Sequence, residues 1–159
     1  MPLRLAPMMY LEHPARQLIV AVSGCVVETI FEYEQRRRND SEAGGVLIGE
    51  RRQGSITITA ATRPQPTDSR GRYHFRRKAK GHQEAVTAAW NASEGVSHYL
   101  GEWHTHPEAH PIPSLTDRLG WISRSIASKH PLVVVICGQG SCYFALQEGA
   151  RLTPLLQAN

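Results

Sequence analysis

Residues 101–117 read Gly-Glu-Trp-His-Thr-His-Pro-Glu-Ala-His-Pro-Ile-Pro-Ser-Leu-Thr-Asp, and the reading of this stretch decides the rest. Residues 98–104 have the pattern of a strand. On a strand, His104 and His106 stand at i and i+2 and project to one face, so both imidazoles reach a single ion. Pro107, Pro111 and Pro113 follow; they forbid a helix and stiffen a connecting loop. The same prolines dispose of a rival pairing, because His106 and His110, four apart, cannot be neighbours on a helical face. A helix expected over 114–128 carries Asp117 in its first turn, where the carboxylate can be aimed back at the strand end. Two imidazoles and one carboxylate suit Zn²⁺, one ion per chain, and three protein ligands leave the fourth tetrahedral position for water, as in catalytic sites. Each part has a plainer reading. Ser114-Leu115-Thr116-Asp117 also has the form of a capping box, and two histidines at a strand end are a weak signal alone. The ordered combination of pair, rigid loop, serine and aspartate points to a metal.

Hydrolysis at such an ion needs a base to take the proton of water. The candidates are Glu42, Glu102 and Glu108. Glu102 shares the strand parity of His104 and His106, so geometry does not exclude it. Glu108 lies in the proline loop and is expected to be exposed. Glu42 precedes Ala43-Gly44-Gly45-Val46-Leu47-Ile48-Gly49, where Gly44 and Gly45 allow close approach of a neighbouring element or of substrate.

Outward from this core, 17–22 (QLIVAV) reads as a strand, and Ser23 is expected to cap a helix through about Arg38. Val46-Leu47-Ile48-Gly49 and the alternating segment 55–62 read as strands joined by a turn at Gln53-Gly54. Residues 63–80, with Arg63, Arg70, Arg72, Arg76, Arg77, Lys78 and Lys80, read as a long loop around one short strand. A helix is expected over 81–93, and strands over 131–137, 141–147 and 150–156. The expected class is α/β, a mixed β-sheet flanked by helices.

The chain has 159 residues, 41% hydrophobic and 20% charged, which is ordinary globular usage and fits one domain spanning 1–159. No apolar run approaches the length of a membrane span. The start, 1–14, lacks the unbroken apolar stretch of a signal peptide, so a cytoplasmic protein is expected. Cys25, Cys137 and Cys142 show no CxxC spacing, and a disulfide framework or cysteine–zinc ribbon is not expected; they read as small buried residues. The net charge of +4 suggests an acidic partner surface. A nucleic-acid module built on 70–80, with Tyr73 and Phe75 for stacking, is the rival class; a solvated loop, or a dock for an acidic protein substrate, competes with it. Zinc deaminase chemistry needs HxE together with PCxxC, and the chain has no PCxxC.

Glu42 with Gly44-Gly45, His104-x-His106-Pro107, and Ser114-x-x-Asp117 beginning seven residues after the proline together resemble the JAMM (MPN+) zinc metallopeptidases. The likeness covers about 42–121. It implies a fold similar to that of cytidine deaminases, zinc held by His104, His106 and Asp117, Glu42 as general base, and Ser114 as hydrogen-bond donor to the oxyanion. Glu102 then becomes a structural candidate or one able to orient a ligand histidine. Known members are isopeptidases that remove ubiquitin or ubiquitin-like proteins. The short chain and the run from Gly101 to Asp117 look most like bacterial members from CBASS anti-phage operons, where the peptidase reverses conjugation of a cGAS-like nucleotidyltransferase through its C-terminus. The implied partner is a protein with an extended C-terminal tail, with another ubiquitin-like or sulfur-carrier pathway as the alternative. Such a tail is expected to add as a strand, near 44–49 or along the loop after His106. Degenerate members that serve as scaffolds lack ligands, whereas every motif position is kept here.

Overall fold

The segment Leu132-Val133-Val134-Val135-Ile136-Cys137 has no charged or hydrogen-bonding side chain beyond a thiol, and such a strand is stable only when both its faces are covered. The computed structural model of the chain describes residues 7–159. In order they form β1 (Met9–Glu12), β2 (Ile19–Val22), α1 (Gly24–Phe31), β3 (Gly44–Arg52), β4 (Ser55–Ala61), β5 (Ser69–Gly71), β6 (His74–Arg76), α2 (His82–Ala92), β7 (His98–Thr105), α3 (Leu115–Ser128), β8 (Leu132–Cys137), β9 (Cys142–Glu148), β10 (Arg151–Pro154) and β11 (Leu156–Gln157). All six residues of β8 are buried. Val133, Val135 and Cys137 join a cluster with Val26 and Ile30 of α1 on one face, and Val134 and Ile136 pack with Trp121 of α3 on the other.

The main sheet runs β10-β9-β8-β7-β3-β4-β2-β1-β11, with β5–β6 as a separate hairpin. It is mixed: β7 pairs β8 and β2 pairs β4 in parallel, the other pairs being antiparallel. The edge strands β10 and β11 are separated by Leu155 alone, whose N–H donates to Phe144 O. The sheet must therefore curl until its edges nearly meet, enclosing α1 on its inner face. Parallel β7 and β8 require a crossover, and α3 supplies it on the outer face. That connection brings the start of α3 to the C-terminal end of β7, the usual place for a site in such units.

Several expectations are corrected. The helix expected to reach Arg38 stops at Phe31, and the Ser23 side chain makes no cap. Gln35 turns inward with no exposure, and its Nε2 donates to Asp40 O at 3.1 Å and Arg72 O at 2.9 Å, so the chain beyond α1 is held as a loop. β1 went unforeseen because only Leu11 of its residues is buried. The strand expected over 150–156 is broken at Leu155, and the loop 63–80 holds a two-stranded hairpin rather than one strand. Cys25 is exposed and Cys142 half-buried; only Cys137 is fully buried.

One glycine sets the phase of β7. The pairing of β3 with β7 slips between Leu47↔Gly101 and Ile48↔Tyr99, leaving Leu100 as an extra residue that shifts which side chains face outward. Gly101 has φ +151, and a Cβ there would lie 1.8 Å from Val133 O. Gly101→Ala is expected to cost about 3 kcal/mol, the upper end of overpacking costs. Gly149→Ala, at φ +56 with nothing within 4 Å, should cost only about 1 kcal/mol. Urea unfolding of the two variants checks the difference.

Candidate metal centre

Past the bulge, β7 alternates strictly. Trp103 and Thr105 enter the inner face, while Glu102 and His104 face α3, and His106 continues on that side. His104 and His106 are each 7% exposed, with Nε2 atoms 3.0 Å apart. Asp117 meets both: Oδ1 lies 3.3 Å from His104 Nε2 and Oδ2 3.3 Å from His106 Nε2. A tetrahedral zinc with ligands at about 2.0–2.1 Å needs donor atoms spaced about 3.3 Å from one another. The spacings of the three side chains are close to that requirement, and among the described residues they form the group that could hold a metal ion.

Asp117 is aimed by the end of its own helix. Ser114 Oγ accepts from Asp117 N–H at 3.1 Å, and Asp117 Oδ2 accepts from Ser114 N–H at 2.8 Å. The capping box and the metal-ligand reading are thus one structure: closing the box fixes the carboxylate towards the histidines. Ser114 Oγ keeps its own hydrogen to donate elsewhere. Burial alone would raise the Asp117 carboxyl, but hydrogen bonds from His104 and His106 hold it well below the usual carboxylate range. His106 is raised against the opposing effect of burial by Asp117, Glu42 and Glu108. Such a gathering of negative charge around two imidazoles is what a divalent cation stabilises.

Glu108 does more than the sequence suggests. Its Oε1 lies 3.0 Å from His106 Nδ1. A carboxylate there accepts the Nδ1 proton, so that Nε2, which faces Asp117 and His104, is the nitrogen a metal would take. Glu102, expected either to orient a ligand histidine or to serve structurally, bonds to neither histidine and takes the structural part. Its Oε1 accepts from Trp121 Nε1 at 2.9 Å and Arg124 at 2.7 Å, and its Oε2 from Arg77 at 2.9 Å. Burial would raise this carboxyl, but Arg124 and Arg77 bring it below its ordinary value. Glu102 therefore acts as a clamp on Trp121, whose ring centre is 6.1 Å from that of His104.

Glu42 is 6% exposed and lines the same cleft as the three ligands. Burial pushes its carboxyl up to about 7, partly offset by His104 and His106; that is the range in which a general base works at neutral pH. Its backbone is fixed on both sides, with Glu42 N donating to Gly71 O at 2.7 Å and Arg70 Nε donating to Glu42 O at 2.8 Å. Next to it, Ala43 N donates to Thr105 Oγ1 at 2.9 Å, and Thr105 Oγ1 donates to Gln35 Oε1 at 3.1 Å. Thr105 sits between His104 and His106, so this buried relay ties the strand of Glu42 to the strand of the two histidines.

Gly44 and Gly45 do not open room for substrate. A Cβ at Gly44 would meet the Phe75 ring at 2.5 Å, and one at Gly45 would meet Thr62 O at 2.2 Å, so the protein itself fills both spaces. Nor can a tail add to β3, because β7 occupies one edge and β4, continued by Thr62, the other. In the basic stretch, Arg70 holds Glu42, Arg72 donates to Arg37 O and Arg38 O, and Arg77 pairs with Glu102. Phe75 packs on Gly44 rather than standing free for a base. These contacts occupy three of the arginines and Phe75, while Tyr73 stands exposed.

Two substitutions test this wiring. Glu102→Gln should cost about 3 kcal/mol, the low end for a broken buried pair, because Arg124 is 41% exposed and partly hydrated. With the folded value depressed, the stability from ionised Glu102 is complete above its ordinary pKa of about 4.5. It is lost as pH falls through the lower folded value, so urea midpoints of wild type and variant should converge in acid. Thr105→Val should cost about 1–3 kcal/mol by leaving Ala43 N–H unpaired, whereas Thr105→Ser should remain near wild type in the same measurement.

Comparison with known proteins agrees with the geometry. A profile of prokaryotic homologues of the JAB domain matches residues 26–147. A protein of Pseudomonas aeruginosa named CD-NTase/cGAS isopeptidase is 40% identical over 130 residues, 80% of this chain and 82% of that one. A protein of the same name from Vibrio cholerae is 37% identical over 135 residues, covering 85% and 86%. A probable metalloprotease of Sinorhizobium fredii is 28% identical over 126 residues, covering 76% of each chain. The fold is shared with a solution structure from Desulfitobacterium hafniense, at TM-score 0.55 and 19% identity over 87% of this chain and 88% of that one. No helix among the described residues is long and apolar enough to cross a membrane. The family profile takes in the strand of Glu42, both histidines and Asp117, and so this chain belongs to the prokaryotic branch of the JAB-domain family.

Proposed function

We propose that this chain is a zinc-dependent isopeptidase that releases a protein conjugated through its C-terminal tail, that protein being a CD-NTase/cGAS-like nucleotidyltransferase of an anti-phage system. The observation that carries the reading is the meeting of His104, His106 and Asp117 with Glu42 and Ser114 in one cleft of about 810 Å³. The relatives named CD-NTase/cGAS isopeptidase, at 40% and 37% identity over most of their length, supply the substrate class.

A zinc ion held by the three ligands supplies Lewis acidity, polarising the scissile carbonyl and acidifying water. The chain's own groups do the rest. Glu42 accepts the proton of the attacking water at its carboxylate and passes it to the departing amine. Ser114 donates its hydroxyl hydrogen to the oxygen that gains charge, a role its remaining proton permits. Glu108 holds His106 in the tautomer that leaves Nε2 free. For the tail, β6 offers what β3 does not. Among the described residues it pairs only with β5, and it lines the same cleft as the start of α3. An extended segment lying along β6 gains main-chain hydrogen bonds and passes between the hairpin and the ligands.

The test uses a linear fusion of a CD-NTase from the same genome to a fluorescent protein at its C-terminus, with cleavage followed by gel and intact mass. Glu42→Gln should keep one zinc per chain by elemental analysis and lose about 10²–10⁴-fold in rate. His104→Ala should lose both metal and cleavage, and chelation of the wild type should stop cleavage until zinc is restored. A Glu42→Gln protein as fast as wild type would remove Glu42 from the reaction, and cleavage indifferent to chelation would remove the metal.

A further inference from the structure

We propose that Cys137 and Cys142 form a reversible disulfide across the β8–β9 hairpin, a redox-modified site placed beneath the loop that carries His106 and Glu108. The two residues are direct partners in the antiparallel register, where opposed Cα atoms stand about 4.5–5.5 Å apart, inside the range a disulfide spans. Their sulfurs lie 2.7 Å apart, too close for an ordinary contact of two unbonded sulfurs and short of a bond by a small rotation of either side chain. Cys137 is buried and Cys142 half-buried, so an oxidant reaches the pair through Cys142. The greater exposure of Cys142 assigns it as the attacking sulfur and buried Cys137 as the resolving one. Cys25 offers no such arrangement: it is exposed and touches Ser23 Oγ and Thr59 O.

With a peroxide as oxidant the step balances. The Cys142 thiolate attacks one peroxide oxygen, giving a sulfenic acid and, after protonation, water. The Cys137 thiol then attacks the Cys142 sulfur and displaces the hydroxyl as a second water, so two thiols are oxidised to a disulfide while the peroxide is reduced to two waters. A dithiol reductant reverses it by exchange.

The location gives the bond a consequence. The turn between the cysteines grips the proline loop: Gln139 N donates to Glu108 O at 2.7 Å, and Gly140 N and Ser141 N donate to Ala109 O at 2.8 and 3.0 Å. His106 N donates to Cys137 O at 3.0 Å. Joining the sulfurs closes the base of this turn and should slow its opening.

The experiment uses the full chain with Cys25→Ser, treated with hydrogen peroxide and then dithiothreitol. Peroxide should leave the protein about 2 Da lighter with both thiols closed to alkylation. A cross-linked 137–142 peptide should be recovered, and amide exchange at Gln139, Gly140 and Ser141 should be slowed severalfold; dithiothreitol should reverse all four. Cys142→Ser in the same background, isosteric at a half-buried position, should lose the mass change. Oxygen-addition products in place of the mass loss, thiols still open to alkylation, unchanged exchange in the turn, or a mass loss persisting in the Cys142→Ser chain would each overturn the proposal. None of these readouts depends on a bound metal or on cleavage.

Discussion

The Asp117 carboxylate serves two groups that face different directions, and the site depends on its doing so. One oxygen, Oδ2, accepts the Ser114 N–H that begins α3 and still stands 3.3 Å from His106, while Oδ1 stands 3.3 Å from His104. A helix start always leaves N–H groups without partners, and here their satisfaction is what points the Asp117 carboxylate at the histidines. The long side-chain freedom of an isolated aspartate is removed before any ion arrives, so little ordering cost remains at binding. Burial works against an ionised Asp117, and the two imidazoles overcome it. The result is a small, dense arrangement of charge that is complete when a cation joins it.

β7 makes this possible because its two faces carry different work. Outward, Glu102 and His104 stand on the side of α3, with His106 just beyond the strand; inward, Trp103 packs in the core and Thr105 enters a buried polar chain through Gln35 and Ala43. A buried hydroxyl or amide left unpaired is costly, so these groups hold the strand of Glu42 at a fixed height against the strand of the ligands. Glu102, between two arginines and Trp121, fixes the other wall. Glu42 and the two histidines thus come from segments about sixty residues apart in the chain and are registered by hydrogen bonds rather than by apolar packing alone.

The hairpin of β5 and β6 closes the cleft from the remaining side. Gly71 O and Arg70 hold the backbone of Glu42, and Phe75 fills the space that Gly44 leaves. The arginines that give this stretch its basic character are largely spent on backbone carbonyls and on Glu102. A charge run in a sequence says nothing of such pairing, because the partners lie on other strands and in the loop after α1.

The grouping of the candidate ligands was legible in the chain itself. Strand parity places His104 and His106 on one face, the prolines exclude a helix between them and Ser114, and a first-turn carboxylate at Asp117 can be aimed back at the strand end; all three are local rules of backbone geometry. The strong alternation or continuity of apolar residues likewise showed β2, β4, β8 and β9. What the tertiary structure decided was every role set by a distant partner. The inward turn of Gln35 ended α1, the arginines claimed Glu102, the half-exposed Glu108 took His106, and neighbouring strands used up both edges of β3 and the spaces beside Gly44 and Gly45. A side chain's direction follows from its own backbone, but whether its hydrogen-bonding capacity is already spent depends on residues that only folding brings near.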